Sequence, residues 1–283
     1  MNVNLATVNL KRALRKPGCP ICRLRQQAER RYLFTLLYEN VNDGGTRQHL
    51  VRGMGLCPEH AWALQAVEQE RWHDGLGVGI IYEDLAGRVS ASLAEYLKRN
   101  SVPSRDTRTS LRLRLERLGR PGRWLACRLP SSSPGASLLA QLSPSECCRA
   151  CDLVGQMEET HLNWLVEGLA ETEFQALYAA SAGLCLPHLR LALAGANDAQ
   201  AVNCLAEVAA AHLGLLVSDL GEYVRKHDWN NRGEPKHSWE QASWVRAVAF
   251  FAAEAPQGEG ENVYRSRQKA MAEYDRRGEI DTL

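Results

Sequence analysis

The sequence lacks several features that would place it in a specialised class of protein. It contains only four isoleucines in 283 residues, which disfavours a large β-sheet. It has no uninterrupted run of 18 apolar residues, so we expect no membrane span. Its formal net charge is only +1, which excludes a strongly basic or acidic protein as a whole. The first residues carry charges but no apolar block after them, so we expect no signal peptide and a cytoplasmic location.

Cysteine is the residue type that the chain has in excess. There are nine cysteines, an odd number that argues against a simple disulfide framework. Thiols in the cytoplasm are kept reduced, so clustered cysteines there indicate metal ligands or redox groups first.

Three landmarks occur twice in the chain, in the same order and at a nearly constant offset. They are Cys19-Pro-Ile-Cys22 with Cys148-Arg-Ala-Cys151, Gly55-Leu-Cys57-Pro-Glu-His60 with Gly183-Leu-Cys185-Leu-Pro-His188, and Glu95-Tyr96 with Glu222-Tyr223. Chance does not easily produce such a match, so the pattern indicates an internal duplication.

The segments between the landmarks have helical periodicity. Ile81, Leu85, Val89 and Leu93, for example, recur at steps of four residues. We therefore predict an all-α fold with two pseudo-symmetric helical repeats, each stapled by a Cys3His metal site, plus a C-terminal helix. The predicted division is repeat 1 with metal site 1 at 1–97, a basic Ser/Pro-rich insert at 98–146, repeat 2 with metal site 2 at 147–227, and the C-terminal helix and polar tail at 228–283.

The insert differs from both repeats in composition. Residues 98–128 carry ten Lys or Arg against two acids. Leucine and arginine alternate from Leu111 to Leu115, which predicts a small hairpin, although a loosely ordered linker fits equally well. A basic segment of this kind could bind nucleic acid through its phosphates, so residues 98–128 are a candidate nucleic-acid contact.

The repeated cysteines and histidines have the spacing of metal ligands. A structural zinc site takes four ligands, commonly two from each of two short motifs. We expect each repeat to build its own site. The predicted ligands are Cys19, Cys22, Cys57 and His60 for the first site, and Cys148, Cys151, Cys185 and His188 for the second.

Proline supports this interpretation in the first repeat. Pro20 and Pro58 directly follow Cys19 and Cys57, and proline is favoured at the first position of a helix. Each of these cysteines would then cap a helix, with the second ligand one turn later on the same side. In the second repeat Arg149 replaces the first proline, which loosens the geometric argument there without removing a ligand.

The ligand types favour zinc, with two ions per chain, over an iron–sulfur cluster, which usually takes four cysteines. All four positions of each site are filled by protein, so no position is open for catalysis. Glu158-Glu-Thr-His161 contains half of a di-iron motif, but a second Glu-x-x-His is missing, so we interpret it as an ordinary helix face. Trp229, Trp239 and Trp244 are interpreted as core anchors, and no catalytic residue is predicted.

The CPIC, GLCPEH and GLCLPH motifs, together with Arg225-Lys-His-Asp-Trp229 and Glu234-Pro235, resemble a bacterial domain-of-unknown-function family. Its members are duplicated CPxC…GLCxxH helical metal-binding proteins. The resemblance covers about residues 15–252 and implies that the duplication is a family trait, but it implies no activity. Arg149 departs from the family's proline.

The leading functional hypothesis is a non-catalytic, zinc-stabilised interaction or adaptor protein with an unknown protein partner. One alternative is an iron–sulfur or thiol-based redox protein or sensor. The others are nucleic-acid binding through the insert and an enzyme with a pocket between the repeats.

Overall fold

The computed structural model describes residues 5–100 and 135–254. Within these ranges it contains eleven α-helices and no strand, which confirms the all-α prediction. Nearly all of the basic segment 98–128, where a hairpin was considered, lies outside the described residues, as does the polar tail after Glu254.

The helices follow the two copies of the sequence landmarks. CxxC stands at the beginning of α2 and α7, and CxxH at the beginning of α4 and α9. The helices are α1 Leu5–Leu14, α2 Pro20–Tyr38, α3 Gly44–Arg52, α4 Pro58–Trp72, α5 Leu76–Asn100, α6 Ala136–Gln141, α7 Arg149–Gly168, α8 Thr172–Ala179, α9 Leu186–Gly195, α10 Ala199–Arg225 and α11 Ser238–Ala252. Helices α2–α5 therefore correspond in order to α7–α10.

The chain forms two compact units that do not coincide with the sequence repeats. Of the described residues, 5–34 and 150–254 form the first unit, and 35–100 and 135–149 form the second. The predicted division at residues 97 and 147 follows the duplication, whereas the compact units follow the packing of the helices. The N-terminal segment of the first repeat thus belongs to the same unit as the helices of the second repeat.

The core of the first unit explains this grouping. Buried residues of α1 and of the beginning of α2 form one cluster with residues of α7, α8, α9 and α10. Tyr178, Phe174 and Leu10 are among its largest fully buried side chains. Burying a large apolar side chain stabilises a fold by about 1.5–3 kcal/mol, so this cluster determines where α1 and the beginning of α2 lie.

The glycine of each GLCxxH motif is required by the backbone. Gly55 and Gly183 adopt positive φ angles of 95° and 67°, which L side chains rarely adopt. A side chain at Gly183 would also meet Cγ1 of Val208, 3.2 Å away. Glycine therefore allows a tight backbone turn close to α5 in the first motif and close to α10 in the second. The ligand cysteine two residues later then has extended φ/ψ angles.

Helix α10 is long and apolar enough, by length and composition alone, to span a membrane. In the structure it packs against α8, α9 and α11, and Leu205 and Leu216 are buried. Its Asp219 accepts a hydrogen bond from Nη2 of Arg246 in α11 at 2.6 Å. The core helix of a soluble protein has the same composition, so the expected absence of a membrane span stays a prediction.

A buried ion pair fixes the connection between α10 and α11. Lys226 donates to both carboxylate oxygens of Glu240, at 2.7 and 2.8 Å, and to the carbonyl of Pro235 at 3.0 Å. Beside it, Arg225 pairs with Glu222 and Glu234 at the surface. The Arg225–Pro235 segment that carries the family resemblance therefore has a structural role, which is to hold α11 against α10.

Two tryptophans near the C-terminus lie outside the core. Trp229 is 80% exposed and Trp244 is 52% exposed, so the prediction that they anchor the core is wrong for these two. Val248 and Phe251 are also exposed and follow Trp244 at helical steps of four and three. Together, Trp244, Val248 and Phe251 form an apolar stripe on α11.

Glu240→Ala should destabilise the first unit by about 3 kcal/mol, because it leaves the Lys226 ammonium buried without its carboxylate. Urea unfolding followed by circular dichroism measures the change. Glu234→Ala removes a glutamate from an exposed ion pair on the same segment and is the matched control, with little expected effect. Equal shifts for the two variants would contradict a structural role for the buried pair.

Candidate metal centres

The structure brings all eight predicted ligands into two groups of four. In each group the ligand atoms lie within 4.8 Å of one another. The buried group is Cys19, Cys22, Cys185 and His188, and the partly exposed group is Cys57, His60, Cys148 and Cys151. Each group has three thiols and one imidazole, so both have the expected Cys3His composition and could hold a metal ion.

The pairing of the motifs differs from the prediction. Each group combines the CxxC of one repeat with the CxxH of the other, whereas the sequence analysis paired them within a repeat. The physical reason is the packing of α1 and the beginning of α2 in the core of the first unit. This packing carries Cys19 and Cys22 to Cys185 and His188, and the expected pairing is corrected accordingly.

Helix N-termini position the ligands. Cys57 and Cys185 are the N-caps of α4 and α9, with extended φ/ψ of −62°/162° and −68°/160°. Their carbonyls accept from the amides of Ala61 and Leu189, both at 2.8 Å, which begins each helix. The histidine three residues later lies in the first turn on the same side as the cap. The prediction that Cys57 caps a helix is confirmed.

The buried group has the dimensions of a single tetrahedral ion site. Nδ1 of His188 lies 3.0 Å from Sγ of Cys185, 3.3 Å from Sγ of Cys22 and 3.4 Å from Sγ of Cys19. Sγ of Cys22 lies 3.6 Å from Sγ of Cys185. Zinc–sulfur bonds of about 2.3 Å in a tetrahedron place the sulfurs about 3.8 Å apart, so the donor set fits one ion.

The electrostatics of the buried group favour a cation at its centre. The hydrogen bond with Cys185 lowers the pKa of the Cys22 thiol, but Cys19 and burial outweigh it and raise that pKa. Burial lowers the pKa of His188, but hydrogen bonds with Cys185, Cys19 and Cys22 outweigh burial and raise it. The Cys22 thiol thus ionises more readily when a positive charge lies beside it, and a divalent metal would supply that charge.

Glu158 contacts a ligand of the buried group, and the sequence analysis did not single it out for this role. Its Oε1 lies 3.1 Å from Nε2 of His188, the ring nitrogen that faces away from the thiols. Its Oε2 lies 3.6 Å from Nε of Arg25. The hydrogen bond with His188 lowers the pKa of the Glu158 carboxyl. A carboxylate in this position orients the imidazole and makes Nδ1 the ligand atom. The sequence does hold one sign of this role, because a glutamate, Glu29, stands at the equivalent position of the first repeat.

Glu254 is a second residue that the sequence analysis missed, and it contacts two ligand residues of the buried group. Its backbone amide lies 3.5 Å from Sγ of Cys22, and its Oε1 accepts from the amide of Cys19 at 3.1 Å. Gln26 also donates to its carbonyl at 3.2 Å. Gly18, at φ +84°, leaves room for this contact, since a Cβ there would come within 2.0 Å of Oε1. The segment after α11 thus covers the ligands.

The partly exposed group is more accessible. His60 is buried, Cys57 and Cys148 are half-buried, and Cys151 is exposed. Nδ1 of His60 lies 3.0 Å from Sγ of Cys57 and 3.8 Å from Sγ of Cys148. The hydrogen bond with Cys148, and then that with Cys57, raises the pKa of His60 to about 9. A further cysteine, Cys147, is exposed directly before the group.

A protein-family model described as a family of unknown function (DUF6062) matches residues 1–258. The chain belongs to this family. Its members are the proteins that the duplicated motifs resemble, so the recognition made from the sequence is confirmed. The DUF6062 match covers both groups of ligands and α11, and ends within a few residues of Glu254.

One curated relative is a protein of Caldicellulosiruptor sp. (strain Rt8B.4), described as an uncharacterized 23.9 kDa protein in the xynA 3′ region. It is 39% identical over 67 residues, which is 24% of this chain and 30% of the relative. The chain therefore matches less than a third of that protein's length. No solved structure matches the chain significantly.

Glu158→Ala should weaken metal binding at the buried group by about 10- to 100-fold, because the imidazole of His188 loses its orienting carboxylate. Competition titration with a chromogenic chelator measures both affinities in one experiment. Glu159→Ala removes the exposed neighbouring glutamate and should change neither affinity. Loss of affinity at both groups in Glu158→Ala would contradict a local role.

Proposed function

We propose that this protein is a cytoplasmic, non-catalytic interaction or adaptor protein whose helices are held together by two structural zinc ions. The observation that carries the proposal is the composition of the two ligand groups. Each supplies four protein donors within 4.8 Å of one another, the arrangement of a closed structural site. A catalytic zinc keeps one position for water or substrate, and here a fourth protein ligand takes that place.

Zinc is favoured over an iron–sulfur cluster by donor type and by space. Three thiolates and one imidazole in a tetrahedron are a common structural zinc set. In the buried group the imidazole nitrogen lies within 3.4 Å of all three thiols. A cluster needs room for several irons and for its own sulfides between the ligands, whereas these donors close around one ion.

The apolar stripe on α11 supports an interaction role. Trp244, Val248 and Phe251 are each more than half exposed and lie on one helix face. Aromatic side chains are enriched at the centres of protein interfaces, and contiguous exposed apolar patches mark interaction sites. The metal in the buried group stabilises the unit to which α11 belongs, so the stripe would be presented on a rigid support.

Purified protein should contain two zinc ions per chain and should be colourless. Elemental analysis of protein prepared without air measures the stoichiometry, and the visible spectrum distinguishes zinc from iron. Less than one equivalent of any transition metal would contradict the proposal. A red-brown protein with stoichiometric iron would support the iron–sulfur alternative instead.

Cys22→Ser should cost several kcal/mol of stability and one equivalent of metal, because structural zinc binding contributes about 10 kcal/mol to the folding of small zinc domains. Thermal unfolding with and without a chelator measures this effect. Cys204→Ser alters a half-buried thiol that belongs to neither group and is the matched control. Equal melting temperatures for Cys22→Ser and the wild type would contradict a structural metal.

The interaction role is tested by a photo-crosslinking amino acid at Val248, in the cells that produce the protein. We expect discrete crosslinked species, because a partner would cover the stripe on α11. The control position is Glu173, an exposed residue of α8. Trp244→Ser should remove the species formed from position 248. The same crosslinks from positions 248 and 173 would contradict a specific interface on α11.

A further inference from the structure

The two metal-ligand groups have the same donors but different surroundings. The reactivity of one group can therefore be compared directly with that of the other. All four residues of the buried group are buried, and Glu158 and Glu254 cover it. In the partly exposed group Cys151 is exposed, and Cys57 and Cys148 are half-buried. Reactivity of a thiolate depends on access as well as on ionisation, so the two groups should react at different rates.

We propose that Cys148 and Cys151 are a redox modification site, at which a small peroxide forms a disulfide and releases the metal from the partly exposed group. The inference rests on the proposed function, because it requires that this group hold a metal ion. Oxidation would leave the buried group and its metal in place.

The position of the two cysteines suits disulfide formation. Cys148 directly precedes α7 and Cys151 lies in its first turn, so one helical turn separates them. Their sulfurs belong to a set of atoms within 4.8 Å of one another. Closing this pair therefore needs only a local movement at the beginning of α7.

The reaction begins at the exposed sulfur. The Cys151 thiolate attacks one oxygen of hydrogen peroxide and breaks the O–O bond, which leaves a sulfenic acid and water after one proton is taken up. The Cys148 thiolate then attacks that sulfur, forms the S–S bond and expels hydroxide, which takes up a second proton. Two thiolates lose two electrons in total, and the peroxide is reduced to two waters.

Loss of these two thiolates removes half of the ligands. Only Cys57 and His60 remain for the ion, and two ligands do not hold a structural zinc. The ion then leaves as a dication with its charge unchanged. The buried group lacks an equivalent exposed sulfur, since Cys19, Cys22 and Cys185 are all buried.

The test uses the full chain loaded with two zinc ions and treated with hydrogen peroxide in the presence of a chromogenic chelator. We expect one equivalent of zinc to be released at least about tenfold faster than the second. Peptide mass spectrometry should show the loss of two hydrogens and a bond between Cys148 and Cys151. A reductant and added zinc should restore the original stoichiometry.

Cys147→Ser is the matched control, because Cys147 is exposed and adjacent but belongs to neither group. Its zinc should be released within about twofold of the wild-type rate if Cys147 takes no part. Release of both ions together, release of neither, a disulfide that includes Cys147, or a sulfinic acid in place of the disulfide would each overturn the inference. Protein that binds fewer than two ions before oxidation contradicts the proposed function instead.

Discussion

The packing of α1 and the beginning of α2 against α7–α10 is the constraint on which the two metal-ligand groups depend. It carries Cys19 and Cys22 into the core of the first unit, to residues more than 160 positions later in the chain. A metal ion bound there would need these distant segments to be packed together, so its binding free energy would add to the stability of the folded core. Because the first CxxC lies in that core, the CxxC of the second repeat forms its group with the CxxH of the first repeat.

The donors could be predicted from the sequence, but their pairing could not. Cysteine and histidine at helix starts, with Pro20 and Pro58 beside them, indicate metal ligands through local chemistry alone. A duplicated chain, however, has two pairings that satisfy the same ligands equally well. The choice between them depends on the burial of Leu10, Leu14 and their neighbours in α1, which no motif encodes. The helices followed from periodicity, whereas the compact units depended on this non-local packing.

The residues missed by the sequence analysis contact the ligands but do not belong to the motifs. Glu158 looks like part of an ordinary helix face in the sequence, because the chain has no second Glu-x-x-His to complete a di-iron motif. Its partner, Nε2 of His188, lies on another helix, so sequence spacing gives no sign of their contact. Glu254 lies even further from the motifs, and both its backbone amide and its carboxylate contact ligand residues. Only the end of α11 places it beside Cys19 and Cys22.

Two sites with identical donors can still differ in chemistry. In this chain the choice of ion and the retention of that ion depend on different parts of the structure. The donors determine which ion fits, because size, charge and softness act at the first contact. The surroundings determine whether the ion stays, because water, oxidants and chelators must first reach a sulfur. In the buried group all four ligands are buried, and Glu158 and Glu254 contact them. In the partly exposed group Cys151 stands open at the beginning of α7. Two groups with the same donors can thus differ in role, with the buried one suited to stability and the partly exposed one open to reaction with its surroundings.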